Sequence, residues 1–255
     1  MDMTDAAPKK AFKWSQLLLA AILVALVGGA FWLKTRPKPA ATPSASQEST
    51  EALLARGIRE HVAGSHDAAM GVYHQVLMRD PANASAHYNL GQIYAQRSQF
   101  PQAQWEYEAA LKGDPKFLDA RLNLGVVLYR QKRFPEAIGA LRQVLQASPK
   151  HALALFNLGV THLDLGHADE AIRWLTAASR EDPKRADTHY YLGLAQERKG
   201  RHPEARASLN KVLALNPRHA EAHTALARVY MAQGDRNLAV EALKKAAELD
   251  PRLKQ

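Results

Sequence analysis

The sequence contains no cysteine. Disulfides, thiolate zinc sites, thiol nucleophiles and lipoprotein attachment through cysteine are therefore excluded, and the redox compartment is left open. It also lacks a glycine-rich phosphate loop and any nucleophile–base motif of the kinds that mark transferases and hydrolases, so no catalytic residue is assigned and no enzyme is expected. Nowhere do lysine and arginine gather around interleaved aromatics, although the formal net charge is +9. Of the 34 Lys and Arg residues, six precede residue 40 and flank one apolar block. Most of the others alternate with acids, as in REDPKR at 180–185. That pattern describes a solvated helix surface, and nucleic acid is not expected as a partner. Long hydrophobic runs are scarce too: there is one.

That run, WSQLLLAAILVALVGGAFWL at 14–33, follows a short tail at 1–13 and carries no charge. About 20 residues at 1.5 Å rise span ~30 Å, the thickness of a bilayer core. Trp14 and Trp32 stand at its ends, where interfacial aromatics sit. Lys9, Lys10 and Lys13 on one side balance Lys34, Arg36 and Lys38 on the other, so the flanking charges do not set an orientation. The run reads as an uncleaved single-pass anchor. The alternative is a cleaved secretory signal ending at Gly28-Gly29-Ala30, which the continuation through Phe31-Trp32-Leu33 disfavours. For a bacterial source the expected location is the inner membrane with the rest of the chain in the periplasm, the cytosolic side being the other choice. Residues 34–49, rich in proline, alanine and serine and without apolar period, read as a linker.

A composition 47% hydrophobic and 23% charged excludes wholesale disorder, and the material is organised by a repeat. Asn89, Asn123 and Asn157 each precede Leu-Gly and lie 34 residues apart. From residue 50 the chain divides without insertion into 50–83, 84–117, 118–151, 152–185, 186–219 and 220–253. The eighth position is small in every block: Gly57, Gly91, Gly125, Gly159, Gly193 and Ala227. The twentieth is always alanine, from Ala69 to Ala239, and the thirty-second always proline, from Pro81 to Pro251. Small residues at matched heights let two helix backbones approach, and proline closes the second helix. Gly64, Gly166, Gly200 and Gly234 mark the turn between the helices, and Asp67, Pro101, Pro135, Asp169, Pro203 and Asn237 read as residues that cap or begin the second.

Leu90, Gly91, Tyr94, Ala103, Tyr107, Ala110 and Pro115 of the second block follow the pattern of the tetratricopeptide repeat family, which the 204 residues of the six blocks resemble. The fold class implied is all-α: six helix-turn-helix units in a right-handed superhelix, preceded here by one transmembrane helix. The resemblance implies a concave groove that binds peptides or protein segments and no cofactor. One departure stands out: the fourth position, often tryptophan in the family, holds Leu53, His87, Arg121, Leu155, His189 and His223. The family's clamp for acidic chaperone tails uses lysine and arginine at groove positions two, five and six, and that set is missing.

Helical geometry puts positions four, seven, eight and eleven on the packed stripe and position six about 200° from position eight, on the groove side. Asn89, Asn123 and Asn157 are candidate peptide-binding residues, because an amide matches both the C=O and the N–H of a peptide unit. Tyr191 takes that position in the fifth block. Beside it, Tyr88, Leu122, Phe156 and Tyr190 at position five would offer apolar pockets, and Arg130 is among the groove's charged residues, which carry both signs. The same amides also fit ordinary solvated or repeat-to-repeat positions. No metal site is expected, since His61/His66 and His162/His167 are five apart and share no helix face well, and His219/His223 straddles a block boundary. At the ends of the stack, Arg56 and Glu60 give the first block a polar outer face. Val240, Leu243, Ala247 and Leu249 would leave the last one partly apolar, suited to weak homo-oligomer formation or partner docking.

Overall fold

The computed structural model describes residues 48–250. The expected anchor at 14–33, nearly all of the linker and Pro251 lie outside the described residues. Among those described, no helix is long and apolar enough to cross a membrane. The described residues form twelve helices and no strand, each block supplying one pair. The first helices are α1 (Thr50–Val62), α3 (Ala84–Gln96), α5 (Leu118–Arg130), α7 (Ala152–Asp164), α9 (Ala186–Arg198) and α11 (Ala220–Gln233). The second helices are α2 (His66–Arg79), α4 (Phe100–Gly113), α6 (Phe134–Ala147), α8 (Ala168–Glu181), α10 (His202–Leu215) and α12 (Arg236–Leu249).

Within a pair, the small eighth residue faces the twenty-fourth. A Cβ on Gly91 would stand 2.6 Å from the Tyr107 ring, and one on Gly159 2.6 Å from Leu175 Cγ. The matched alanine at position twenty is buried in every block. The partner at position twenty-four (Tyr73, Tyr107, Leu141, Leu175, Leu209) is the bulky side chain that the glycine admits. Each turn takes a left-handed residue at position fifteen. Gly64, Gly166, Gly200 and Gly234 have φ of 80°, 82°, 70° and 85°, and Ser98 and Lys132 adopt the same conformation at 58° and 60°. Those two side chains cost about 1 kcal/mol each against the Cβ clash that glycine avoids. The next N–H reaches back to seal the first helix, as in Ser65 to Glu60 O and Asp235 to Tyr230 O. Position eighteen is not a cap. Asp67 and Asp169 lie inside the first turn of α2 and α8, and they accept from Arg97 (2.6 Å) and Lys199 (2.7 Å) of the following block.

The histidine-rich fourth position has a common job. His87, His189 and His223 each set Nε2 against the carbonyl of the proline six residues earlier, at 3.1, 3.0 and 3.3 Å, and Arg121 reaches Pro115 O at 2.6 Å. A carbonyl only accepts, so these are Nε2–H donors that tie each block to the proline closing the previous one. His151 and His219 instead use Nδ1 to accept from Ala154 N and Ala222 N, capping α7 and α11. His87 goes further: its Nδ1 lies 2.7 Å from Glu106 Oε2 in a pair whose side chains are both 7% exposed. The bond to Glu106 pushes the imidazole's pKa up against the opposing effect of burial, in a buried histidine–glutamate pair between α3 and α4.

Each second helix packs on its own first helix and, in the first five blocks, on the first helix of the next block. Neighbouring first helices also touch directly, α1 with α3, α5 with α7, and α9 with both α7 and α11, and no two second helices make comparable contact. A stack closer on one side than the other curves, so the first helices form its inner wall.

Candidate binding groove

The inner wall is built from positions two, five, six, nine, twelve and thirteen of the first helices. Its candidate residues are more engaged with neighbouring blocks than expected. Asn89 Nδ2 donates to Ser85 O at 2.7 Å, and the side chain also bonds the His61 imidazole of the block before. Asn123 Nδ2 donates to the Tyr88 hydroxyl at 3.4 Å. Asn157 Nδ2 donates to Leu153 O at 2.9 Å in an exposed setting, and its Oδ1 has no partner among the described residues. The three amides line one wall, yet each spends one N–H inside the protein.

Position five departs from the expected row of pockets. Tyr88 packs its ring 4.7 Å from Phe117, Phe156 lies 4.6 Å under the Arg185 guanidinium, and Tyr190 stacks 4.9 Å from His219. Each partner is the last residue of the same block, so the aromatics pin the entry to the next first helix and present only part of their surface. Leu122 presents none. It is 6% exposed and packed with Leu141, Val144, Ala154 and Leu158, so the expectation of a ligand pocket there is corrected: with no ring to stack on His151, the short side chain sinks into the core. Tyr191 is half-buried, 5.7 Å edge-on to Phe156 and 5.5 Å from Tyr190. Arg130 is exposed, its guanidinium 5.1 Å from the Phe100 ring. Burial raises the pKa of Tyr88, Tyr190 and Tyr191, so all three are neutral hydroxyl donors at physiological pH.

Two clefts open on this wall, the first of which takes in Asn89. At the first two blocks Ile58, His61, Val62, His66, Asn89, Gln92 and Gln96 line about 360 Å³, with Val62 84% exposed. At the last two, Leu194, Glu197, Arg198 and Arg228 line about 320 Å³. There Arg228 grips Glu197 with two bonds of 2.7 and 2.8 Å, and Arg198 donates to Leu163 O at 2.6 Å. Tyr129 donates to Asp164 at 2.6 Å between the third and fourth blocks, and its pKa is raised by burial first and by that bond second. Ile58 and Val62 sit at positions nine and thirteen, which share the face of position six, so extending the amide register along the helix would have found them.

The paired histidines meet across the turns. The turn between helices brings the His61 and His66 rings to 5.4 Å and those of His162 and His167 to 5.8 Å, although neither pair shares a helix face. His219 and His223 serve separate carbonyl and cap bonds. Among the described residues no three His, Asp or Glu side chains gather as a metal site. His162 is 6% exposed and neither ring nitrogen has a hydrogen-bond partner. Burial holds its pKa below the usual 6.5. The unfolded chain therefore binds a proton near pH 6.5 that the folded chain resists, and stability falls as pH drops below that value. Leu128 fills the same position one block earlier, so His162→Leu should fit. It is expected to add about 1–2 kcal/mol at pH 7 and more at pH 5, read by urea titration at both values.

A curved stack of helix pairs with a mixed polar and apolar inner wall defines the class of helical-repeat scaffolds. Models of the tetratricopeptide repeat match residues 128–197 and 198–253 and, in a second version, 54–105 and 94–152. The chain belongs to the tetratricopeptide repeat family. Comparison with curated proteins gives no match. Among solved structures it is similar to PilF of Pseudomonas aeruginosa (22% identity, TM-score 0.70, 79% of this chain and 92% of that one). MamA is similar as well (25%, 0.60, 68% and 94%), as is YrrB, described as a TPR protein with an unusual peptide-binding site (21%, 0.60, 70% and 92%).

Proposed function

We propose that the protein is a membrane-anchored scaffold that holds an extended segment of another protein along the inner wall of its repeats. The observation that carries this reading is the wall itself: a half-buried amide at Asn157 with its Oδ1 open, exposed apolar side chains at Ile58, Val62 and Leu153, and charged residues of both signs. Such a surface can bond a peptide backbone and bury alternate side chains without favouring a uniformly acidic or basic ligand. Family membership supports a binding role, and the description of YrrB is consistent with a peptide ligand. No catalytic step, cofactor or nucleic acid enters the reading.

Anchoring rests on the apolar run at 14–33, and residues 37–49 of the linker set the reach of the repeats at most ~40 Å from the bilayer, at about 3.1 Å per residue when extended. The favoured placement is the periplasmic face of a bacterial inner membrane. Protease added to spheroplasts should then digest the repeats, whereas protection until lysis would put them in the cytosol. Release of the protein by high salt alone would contradict an integral anchor. For the groove, the test is whether a crosslinker placed at Leu153 or Val62 captures the same partner segment, and capture only from outer positions would oppose the reading.

A further inference from the structure

In five blocks the residue at position twenty-four is sealed: Tyr73, Tyr107, Leu141, Leu175 and Leu209 are at most 1% exposed. Each is covered from two sides, by its own first helix and by the first helix of the next block. Leu243 holds the same place on α12 and is 48% exposed, and Val240, one turn before it, is 50% exposed. Helical spacing puts Arg236, Val240, Leu243, Ala247 and Asp250 on one flank. Every earlier second helix turns that flank toward an antiparallel helix. On α12 the described residues leave it open.

The choice of occupant follows from what each would bring. First helices meet the block before them through positions three, seven and ten. Ala86, Leu90 and Ile93 cluster with Tyr73 and Val76, and Ala222, Leu226 and Val229 with Leu209 and Val212. On α1 those positions are Ala52, Arg56 and Arg59. A second copy stacked head to tail would press two guanidinium groups against Val240 and Leu243, close to the like charge of Arg236, with a heavy desolvation cost. The α12 helix of a second copy brings no such conflict. In an antiparallel pair centred on Leu243, residues equally distant on either side face each other. Arg236 lies seven residues before the centre and Asp250 seven after, so each arginine meets the other copy's Asp250 at both ends. Val240, Leu243 and Ala247 close the middle.

We propose that this flank of α12 is the interface of a two-fold symmetric homodimer, joined end to end through the last repeats. A symmetric contact of this kind closes on itself and forms no open filament. It leaves the inner walls free, so it stands or falls independently of the groove, and it would present two grooves in one particle, with the avidity that follows for a repeated ligand.

A chain without cysteine allows a direct test on the full-length protein in detergent. Leu243→Cys lies at the two-fold axis and is expected to form a disulfide-linked dimer under mild oxidation. Val62→Cys, at a still more exposed position on α1, should stay monomeric. If Leu243→Cys crosslinks only when mixed with Arg56→Cys, the contact is head to tail and the proposal is wrong. Arg236→Asp and Asp250→Arg should each weaken dimerisation about tenfold in sedimentation equilibrium, and the double exchange should restore it. A parent that stays monomeric, or a double exchange that behaves no better than the single changes, would overturn the symmetric interface. Circular dichroism of each variant should match the parent, because all three side chains lie outside the buried stripe of α12.

Discussion

Tyr107→Ala is expected to destabilise the repeat unit by about 3–5 kcal/mol, the range for emptying a buried aromatic site. The ring is 1% exposed and packed with Ala103 and Val127. Its fit depends on the bare Cα of Gly91, where an added Cβ would lie 2.6 Å from the ring. Gly91→Ala alone should therefore cost about 1–3 kcal/mol in strain, partly offset by up to ~1 kcal/mol of helix propensity. In the Tyr107→Ala background the strain has no source, and Gly91→Ala should become neutral or stabilising. Urea titrations of the four proteins close the double-mutant cycle; additive costs would show that glycine and ring are not partners. Because each block touches only its neighbours, the loss should appear as early melting of the first blocks.

Asn89→Ala, Asn123→Ala and Asn157→Ala together are expected to weaken a groove ligand by one to three decades while leaving helicity unchanged. Each net hydrogen bond contributes about 0.5–1.5 kcal/mol, and three sum to roughly 2–4 kcal/mol. Alanine is the better helix former, so the fold has little to lose. The structure sharpens this into an order. Asn89 is shared between Ser85 O and His61, and Asn123 leans on Tyr88, whereas Asn157 keeps Oδ1 free. Asn157→Ala should therefore cause the largest single loss in calorimetry. Equal affinity of the folded triple variant and its parent would reduce the amides to struts between repeats.

The helix pairs were legible because their determinants are local and repeated six times: a small residue at position eight, alanine at twenty, proline at thirty-two. Even the terminal exposure of Val240 and Leu243 could be read from their register. What escaped was pairwise and crossed block boundaries. Leu122 occupies the register of Tyr88 and Phe156, but it has no ring to stack on His151 and sinks into the space beside Leu141 and Leu158. The histidines at position four stood out only as a departure from the family's tryptophan, and they are carbonyl donors to a proline six residues back. Ser98 and Lys132 hid the turn geometry that glycine announces elsewhere.

The binding role of the inner wall is tested most directly by calorimetry with one peptide, selected from a random library on the intact protein. Its affinity would be measured for the parent, for an inner-wall variant carrying Asn157→Ala and Phe156→Ala, and for an outer variant carrying Met78→Ser, a residue 77% exposed on α2. The inner-wall variant should lose at least about tenfold in affinity, the equivalent of ~1.4 kcal/mol, and the outer variant should match the parent. Loss confined to the outer variant, with the inner-wall variant folded and binding at full strength, would contradict the account.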